Sequence, residues 1–417
     1  MKIVLLSMNF APELTGIGKY SGEMADALVA RGHEVVVVCA PPYYPAWQVD
    51  ATYSNQAWTR EEPKRGLTIL RCPVWVPRRP GGLARLLHLA SFALSSFPVM
   101  MRLAFGGASL FFVVAPALFC APTGWLAAKI AGARSWLHIQ DFELDAAFGL
   151  GLLKGDRVRD MVISGEGRLM RAFDRVSTIS RQMSALLRDK GVAQDRTHLL
   201  PNWIDLDRVR PGARSPEMRS ELGIQAGQVV CLYSGTLNRK QGLESVIGAA
   251  RLLSSRTDIV FVICGNGELR PSLESAARGL ANVRFLDLQP IEKLNALLNM
   301  ADVHLLPQLQ AAADLVMPSK LAGMLASGRP VVAGAAPGTE IALVVEGRGI
   351  VTQPESAPAF AQAIEALAED PARRELLGRA ARDYAVHSLG LAAVMDQLEM
   401  QFERLCADEV AIAPAVA

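Results

Sequence analysis

Residues 229–253 read VVCLYSGTLNRKQGLESVIGAARLL, and this stretch decides the fold. It opens with an apolar run at 229–233, continues through a glycine-bearing loop at 234–242, and ends in a helical pattern at 243–253. A short, wholly apolar run followed by a loop and a helix is typical of a buried parallel strand with its crossover helix. The next apolar run, at 259–264, completes a βαβ unit.

The first half of the chain carries the same pattern. An aliphatic strand is predicted at 3–6, a glycine loop at 11–18, a helix that ends at Gly32 and a strand at 35–39. Further short strands at 283–286, 303–306 and 331–333 continue the alternation in the second half. Alternating strands and helices predict an α/β protein with two Rossmann-like, parallel-sheet domains that face a cleft.

Length and local composition suggest where these domains end. A chain of 417 residues is long enough for two or three domains. Pro211, Gly212, Pro216, Gly223 and Gly227 cluster between the two halves and indicate a linker. The predicted division is a first domain at 1–205, a linker at 206–227, a second domain at 228–385, and a C-terminal helix and tail at 386–417.

The overall composition excludes several classes of protein. Hydrophobic residues make up 51% of the chain and the net charge is only +2, which excludes a disordered chain and a uniformly basic nucleic-acid binder. The six cysteines form no CxxC pair, so neither a zinc site nor a disulfide framework is expected. The N-terminal apolar run is too short for a signal peptide, which favours a cytoplasmic location.

The basic residues are unevenly distributed. Residues 63–140 contain nine Lys or Arg and no Asp or Glu, and within them Arg78, Arg79 and Arg85 flank an apolar helical stretch at 83–100. Such a helix is predicted to lie on an anionic membrane surface, the alternative being a core helix with a solvated basic end. The apolar run at 103–128 is predicted not to cross a membrane, because glycines and prolines divide it into a strand at 109–115 and a helix from 123.

Two nucleotide-binding motifs fail in the glycine loop. The sequence Gly16-Ile-Gly18-Lys-Tyr-Ser21 has serine in place of the third glycine of the dinucleotide fingerprint, and no acid follows the second strand. A P-loop is excluded as well, because Tyr20 stands where Ser or Thr is needed.

Five segments, in order, resemble the family 4 retaining glycosyltransferases, which have the GT-B fold. They are PELTGIG (12–18) with LVARGHEV (28–35), the passage from Ser180 through GV (191–192) to LPNWID (200–205), YSG (233–235) with QGL (241–243), CGNG (264–267), and PSKL (318–321) with GRPVV (328–332). The resemblance implies a nucleotide-sugar donor bound by the second domain, an acceptor bound by the first domain near Gly16 and Gly18, and reaction with retention. It also implies that neither a metal nor another cofactor is needed.

Three other stretches resemble the colanic-acid-type, WcaI-like fucosyltransferases of exopolysaccharide biosynthesis more closely. They are APPYYP (40–45), residues 83–98 and HIQDFELD (138–145). This resemblance implies a GDP-sugar rather than a UDP-sugar, with GDP-fucose as the first choice, and a sugar acceptor linked to polyprenyl diphosphate. It further implies a peripheral protein on the inner face of the bacterial plasma membrane.

Residues that could hold the diphosphate lie in the second half. Arg239 and Lys240 occupy the loop that opens its first helix, where a diphosphate would meet cationic side chains and backbone N–H groups. The predicted donor-binding residues are Gly235, Arg239, Lys240, Gly265, Gly267, Asp314, Ser319 and Lys320. The alternatives are a solvated turn for Arg239 and Lys240, a surface lysine for Lys320, and plain βα turns for Gly265 and Gly267.

The chain departs from the family at several positions. Leu315 and Gly323 stand where two glutamates are usual, and Asp314 is the acid nearest to the first. The family's His-Asp pair reads Gln140-Asp141, and His138 is predicted to lie on the same side of a strand as Gln140. Asp141 is the preferred catalytic residue, ahead of Gln140 and His138, for which a packed strand-end histidine is the alternative.

Two other functions stay open on the sequence. A sugar-nucleotide epimerase could use the same fold, although it would not need an apolar acceptor face. A non-catalytic sugar-nucleotide-binding subunit would explain the missing Glu and His. The Asp205-Leu-Asp207 sequence is formally a DxD metal motif, but it follows Pro201-Asn202 at the linker and is not expected to bind a metal.

Overall fold

A computed structural model of the chain describes residues 1–13, 16–78, 81–115, 118–142, 156–309 and 318–407. The chain divides into two compact units. Unit 1 is Met1–Pro201 together with Met395–Ala417, and unit 2 is Asn202–Val394. Each unit is built on one sheet whose strands alternate with helices, so the predicted α/β class with two parallel-sheet, Rossmann-like domains is confirmed.

Unit 1 holds an eight-stranded sheet in the order β3-β4-β2-β1-β5-β6-β7-β8. Its strands are β1 (Lys2–Ser7), β2 (Glu34–Cys39), β3 (Thr59–Lys64), β4 (Leu67–Arg71), β5 (Leu110–Ala115), β6 (Arg134–Ile139), β7 (Arg175–Thr178) and β8 (Thr197–Leu199). Only β3 runs antiparallel to its neighbour. The helices are α1 (Gly16–Ala30), α2 (Gly82–Leu103), α3 (Ala121–Ala131), α4 (Asp156–Ala172) and α5 (Arg181–Asp189).

Unit 2 holds a six-stranded, wholly parallel sheet in the order β11-β10-β9-β12-β13-β14. Its strands are β9 (Val229–Ser234), β10 (Ile259–Cys264), β11 (Val283–Leu286), β12 (Val303–Leu306), β13 (Val331–Gly334) and β14 (Gly349–Thr352). Its helices are α6 (Pro216–Glu221), α7 (Glu244–Leu252), α8 (Arg270–Ala276), α9 (Leu294–Met300), α10 (Ser319–Ala326), α11 (Glu340–Val345), α12 (Ala357–Glu369) and α13 (Pro371–Tyr384).

The apolar run at 103–128 divides as predicted. It supplies the end of α2, the buried strand β5 and most of α3. All six residues of β5 are buried, as expected for a strand in the middle of a covered parallel sheet.

The last helix, α14 (Leu391–Ala407), links the end of the chain to unit 1. The prediction set 386–417 apart, whereas residues 395–407 pack on the first sheet. Phe402 is fully buried, with its ring centroid 5.7 Å from Phe112 and 5.3 Å from Trp136. The predicted linker at 206–227 lies within unit 2 and contains α6.

Helix α2 buries one face and exposes the other. His88, Leu89, Phe92, Ser96 and Met100 are buried. On the opposite face the exposed apolar side chains are Leu83, Leu87, Leu94 and Phe97. By length and composition this helix could cross a membrane. Within the protein, only 28% of its most apolar 18-residue window is buried. It therefore packs on unit 1 and still presents an apolar stripe, and the membrane-surface prediction stays open.

Candidate active site

The glycine loop of unit 1 is organised by a buried carboxylate. Glu13 accepts hydrogen bonds from the backbone N–H groups of Tyr43 and Tyr44, at 3.1 and 3.0 Å, and from Asn9 Nδ2 at 3.0 Å. Burial raises the pKa of Glu13 in spite of these donors. A Cβ atom at Gly18 would lie 2.6 Å from Glu13 Oε2, so this glycine makes room for the carboxylate. The structure therefore gives Gly18, predicted on the acceptor side, a packing role.

A buried arginine ties the neighbouring loops together. Arg71 ends β4 and is 2% exposed. Its guanidinium donates to Ala11 O at 3.0 Å and to Ala40 O at 3.3 Å, and it pairs with Glu61 at 2.6 Å. The loops that follow β1 and β2 are thus fixed at the carboxyl edge of the sheet, where ligands bind in this class of fold. Gly16, with φ of +59°, begins α1 at the same edge.

His138 belongs to a buried chain of hydrogen bonds. Trp136 Nε1 donates to Ser177 Oγ at 2.8 Å, and Ser177 Oγ lies 2.9 Å from His138 Nδ1. Gln140 Nε2 lies 3.1 Å from His138 Nε2, so both side chains are on one side of the strand, as predicted. Burial lowers the pKa of His138 to about 3, so the ring is neutral near pH 7.

These contacts show that the three predicted catalytic residues have different surroundings. His138 is 3% exposed, which matches the packed histidine left open by the sequence. Gln140 and Asp141 follow β6 and are partly exposed at its carboxyl end. The Gln140 amide lies within hydrogen-bond distance of the His138 ring, and the catalytic assignment of the three residues stays a prediction.

In unit 2, the predicted glycines bring two loops together. A Cβ atom at Gly265 would lie 1.9 Å from Gly235 O, and one at Gly267 would lie 2.2 Å from Leu237 O. Gly235 N also donates to Cys264 O at 3.0 Å. The loops after β9 and β10 thus touch each other through backbone atoms. This contact explains Gly265 and Gly267 without a bound ligand.

Lys320 is the cation that these loops enclose. Its Nζ lies 3.2 Å from Tyr233 OH, 4.4 Å from the centre of the Tyr233 ring, and within hydrogen-bond distance of Gln241 Oε1. No carboxylate of a described residue forms an ion pair with it. Desolvation lowers the pKa of Lys320 to about 7. A cation in this position, partly removed from water, favours an anionic ligand.

The other predicted donor residues lie around this lysine or outside the described residues. Arg239 is exposed in the short 3₁₀-helix Arg239–Gln241, which also supplies Gln241. Lys240 lies in the same turn, and its side chain is outside the description. Ser319 is exposed in the first turn of α10, immediately before Lys320. Asp314 and Leu315 lie outside the described residues.

Two further positions bear on the chemistry. A Cβ atom at Gly323 would make an ordinary 3.4 Å contact with Leu298 Cδ1, so crowding at the Cβ does not explain why glutamate is missing.

The DxD sequence at Asp205 forms a turn. Asp205 Oδ1 accepts hydrogen bonds from the backbone N–H groups of Asp207 and Arg208, at 3.0 and 3.1 Å. These bonds give the Asp205 carboxylate a turn-capping role. Among the described residues, no group of three or more His, Cys, Asp or Glu could hold a metal ion.

Four residues of these edges were not predicted, namely Glu13, Arg71, Tyr233 and Gln241. Glu13, Tyr233 and Gln241 lie in segments that the resemblance did mark, but nothing in the sequence says which residues they contact. Arg71 could have been suspected as a charged residue at the end of a mostly apolar strand.

Comparison with known proteins identifies the family. Residues 15–203 match the Glycosyl transferase 4-like domain, and residues 214–384 match the Glycosyl transferases group 1 family. The chain is 42% identical over 408 residues to a protein of Escherichia coli K12 that carries the name colanic acid biosynthesis glycosyl transferase WcaI. That alignment covers 95% of this chain and 98% of the relative.

Solved structures agree on the fold. Sucrose-phosphate synthase from Thermosynechococcus elongatus superposes with a TM-score of 0.74 at 19% identity, over 98% of this chain and 99% of that one. HepE of Anabaena, solved in complex with UDP and glucose, superposes with a TM-score of 0.68 at 16% identity, over 97% of this chain and all of that one. With both family domains in order and a relative matched over nearly its whole length, the chain belongs to the GT4 family of glycosyltransferases, enzymes of the GT-B fold.

Proposed function

We propose that this enzyme transfers a sugar from a nucleotide-sugar to an exopolysaccharide precursor linked to polyprenyl diphosphate. GDP-sugars are the favoured donors, with GDP-fucose first, and the new linkage forms with retention. The name of the E. coli relative, colanic acid biosynthesis glycosyl transferase, supports the exopolysaccharide assignment. The choice of GDP and of fucose rests on the resemblance to the WcaI-like fucosyltransferases.

The observation that carries the donor proposal is the environment of Lys320. Its ammonium group is partly withdrawn from water beside Tyr233 and Gln241, at the carboxyl edge of the second sheet. Arg239 is exposed in the turn that supplies Gln241. A leaving nucleoside diphosphate needs its negative charge neutralised, and fixed cations and N–H groups can do this. Ser319 and Lys320 begin α10, whose first backbone N–H groups add to this anion-binding edge.

A panel of UDP- and GDP-sugars, tested by thermal shift and then by calorimetry, examines this assignment. A ligand that binds only the folded protein raises the melting temperature. Each charge-assisted bond to phosphate contributes about 1.5–3 kcal/mol, so Arg239→Ala with Lys240→Ala should weaken nucleoside-diphosphate binding at least about tenfold. The matched control is Arg278→Ala with Lys293→Ala, two exposed cations of the same unit. Unchanged nucleoside-diphosphate affinity in the Arg239/Lys240 variant would show that this pair does not bind the diphosphate.

The acceptor proposal rests on the surface of unit 1. The stripe formed by Leu83, Leu87, Leu94 and Phe97 is exposed on α2, and Leu94 is 76% exposed. Two exposed tryptophans flank this helix, because Trp58 Nε1 donates to Ser95 O at 2.9 Å and Trp75 N donates to Ser91 Oγ at 3.0 Å. Apolar side chains beside tryptophan and arginine suit a membrane interface. We therefore place the enzyme peripherally on the inner face of the plasma membrane, where a lipid-linked acceptor would be available.

We further propose that the reaction needs no metal ion or other cofactor. The cationic donor edge supports this, since Lys320 and its neighbours can offset the charge that develops on the diphosphate. Activity should therefore persist in EDTA. Loss of activity in the chelator, with recovery on adding Mg²⁺ or Mn²⁺, would contradict this part of the proposal. The anomeric configuration of the product, read by NMR, tests retention.

A further inference from the structure

Unit 2 contains a charged cavity at the edge of its sheet opposite the donor edge. The cavity has a volume of about 550 Å³, which is within the range of small-molecule sites. Asp302 and Pro330, which line it, come immediately before β12 and β13. Because all six strands are parallel, these residues mark the amino edge, whereas Gly235 and Gly265 follow the carboxyl ends of β9 and β10. The cavity is therefore separate from the proposed donor site.

Arginines dominate the walls of this cavity. Three chain segments contribute them: residues 211–214, the turn at 328–330, and helix α13. The cavity is lined by Arg214, Arg329, Arg374, Arg379 and Arg382, against the acids Asp302, Glu375 and Asp383. Five guanidinium groups facing three carboxylates leave an excess of positive charge at one place.

Much of the acidic charge is already engaged. Asp302 is 4% exposed and is shared by Arg214 at 2.5 Å and by Arg219, from outside the cavity, at 2.6 Å. Glu375 pairs with Arg379 at 2.8 Å. Asp383 is the remaining lining acid, and it is exposed to water. Arg214 and Arg379 are thus paired with lining acids, whereas no carboxylate of a described residue forms an ion pair with the other three lining arginines, Arg329, Arg374 and Arg382.

Backbone carbonyl groups hold several of these arginines in place. Arg382 Nη1 donates to Val209 O and Ala326 O, both at 2.9 Å, and Arg374 Nη1 donates to Ala368 O at 2.8 Å. In these bonds each guanidinium uses one nitrogen. A Cβ atom at Gly378 would lie 2.3 Å from Gly328 O, so α13 packs directly on the turn that precedes β13. The walls are thus built from fixed elements.

Arg329, which lines the cavity, carries a buried N–H donor. Its Nη2 donates to Gly212 O at 3.0 Å, but its Nε is buried with no hydrogen-bond partner among the described residues. Burial and the nearby Arg214 lower the pKa of Arg329, which means that its positive charge is held in an unfavourable environment. A buried donor without a partner is costly, and an anion bound beside it would relieve both problems.

We propose that this cavity binds a small anion carrying a phosphate or diphosphate group, at a site distinct from the donor edge. Guanidinium groups present paired N–H donors that match phosphate oxygens, which is why arginine clusters select this class of ligand. The bound anion joins residues 211–214 and the turn at 328–330 to α13, and so stabilises the folded unit.

Calorimetry with inorganic pyrophosphate tests the site in the full-length chain. The titration uses the Arg239→Ala/Lys240→Ala background, so that binding at the donor edge is reduced. We expect one saturable site to remain in this background. Adding Arg329→Gln and Arg379→Gln should weaken that binding at least tenfold. Adding Arg373→Gln instead, an exposed arginine of α13 that does not line the cavity, should leave the affinity unchanged.

Two results would overturn the proposal. One is the absence of saturable pyrophosphate binding in the Arg239→Ala/Lys240→Ala background. The other is equal affinity with and without the Arg329 and Arg379 substitutions. If the variant carrying both fails to fold, Arg379→Gln alone is informative, because that side chain is 65% exposed and its loss should weaken binding severalfold without disturbing the core. The test does not depend on which sugar nucleotide is the donor.

Discussion

Lys320 and Arg239 are both proposed to meet the diphosphate, yet their surroundings differ. Arg239 is exposed to water. Lys320 has lost part of its hydration against Tyr233 and Gln241, and desolvation lowers its pKa to about 7. A lysine with this pKa changes its charge within the working range of an enzyme, so the strength of donor binding should depend on pH.

We expect nucleoside-diphosphate binding to weaken as pH rises from 7.5 to 9. The diphosphate favours the ammonium form of Lys320. Above about pH 7 this lysine must therefore take up a proton when the ligand binds, which costs up to about 1.4 kcal/mol of binding free energy per pH unit. The ligand's own terminal phosphate ionises near pH 6 and so stays fully charged in this window. Calorimetry should show affinity falling up to about tenfold per pH unit in the wild type, and a nearly flat profile in Lys320→Met.

The comparison variant for this test is Arg239→Ala. It removes an exposed guanidinium and leaves Lys320 in place, so binding should be weaker but should keep the same pH slope. A wild-type affinity that stays constant between pH 7.5 and 9 would show that Lys320 does not bind the diphosphate through its charge.

Glu13 gives a second prediction, on stability. In Glu13→Leu the N–H groups of Tyr43 and Tyr44 lose their acceptor, and each unsatisfied buried donor costs about 1–3 kcal/mol. We expect the free energy of unfolding to fall by about 2–4 kcal/mol in urea denaturation. Glu13→Gln keeps an acceptor oxygen and should cost less than Glu13→Leu. Equal stability of all three proteins would mean that these hydrogen bonds contribute nothing.

The sequence predicted several site residues but not their partners. Lys320, in the PSKL segment, was predicted as a donor-binding residue. Its contacts with Tyr233 and Gln241 join residues 87 and 79 positions away, and no local pattern encodes such distances. The same limit applies to His138, whose side of the strand was predicted from the two-residue period, while its bond to Ser177 depends on the pairing of β6 with β7.

Among the elements, the short parallel strands were the easiest to predict. The strands at 259–264, 283–286 and 303–306 begin and end where the sequence predicted them. The edge strand β3 (Thr59–Lys64) was missed because its sequence, TREEPK, is charged and contains proline. Charge and proline are what protect an exposed sheet edge from pairing with another chain, so such strands lack the apolar signal.

Among the helices, α2 can be tested directly, because its apolar stripe is proposed to bind a membrane. Each arginine near an anionic surface contributes about 1 kcal/mol, so Arg78/Arg79/Arg85→Gln should reduce partitioning by roughly two orders of magnitude. Replacing Leu87, Leu94 and Phe97 with Ser removes apolar contact and should also abolish flotation with liposomes rich in anionic lipid. Raising the salt concentration should weaken the wild type, because the Debye length shortens.

A matched control for the apolar variant lies in unit 2. Leu252→Ser with Leu376→Ser removes two leucines that are 57% and 60% exposed and that are far from α2 in sequence. This variant should float as well as the wild type. If the wild type stays in the soluble fraction at low salt, or if the stripe variant floats normally, α2 is an ordinary surface helix that does not bind the membrane.

At the scale of the whole molecule, unit 1 is formed from both ends of the chain. The sequence predicted a helix near the C-terminus, but it could not say which domain that helix would pack against. In the structure His33 bonds Glu399 at 2.7 Å and Arg31 bonds Asp396 at 2.7 Å, so residues near position 30 hold α14. The same helix brings Phe402 to the first sheet.

This arrangement predicts that a change near the C-terminus destabilises the N-terminal unit. Phe402 is fully buried against Phe112 and Trp136, and truncating such a phenylalanine to alanine costs about 3–5 kcal/mol. Five of the six tryptophans, all but Trp203, lie within Met1–Pro201, so tryptophan fluorescence mainly reports the unfolding of that unit. We expect Phe402→Ala to lower the urea midpoint of the fluorescence transition. Met400→Ala, which changes a side chain 48% exposed on the same helix, should shift it little. Equal midpoints for the two variants would show that the last helix does not stabilise unit 1.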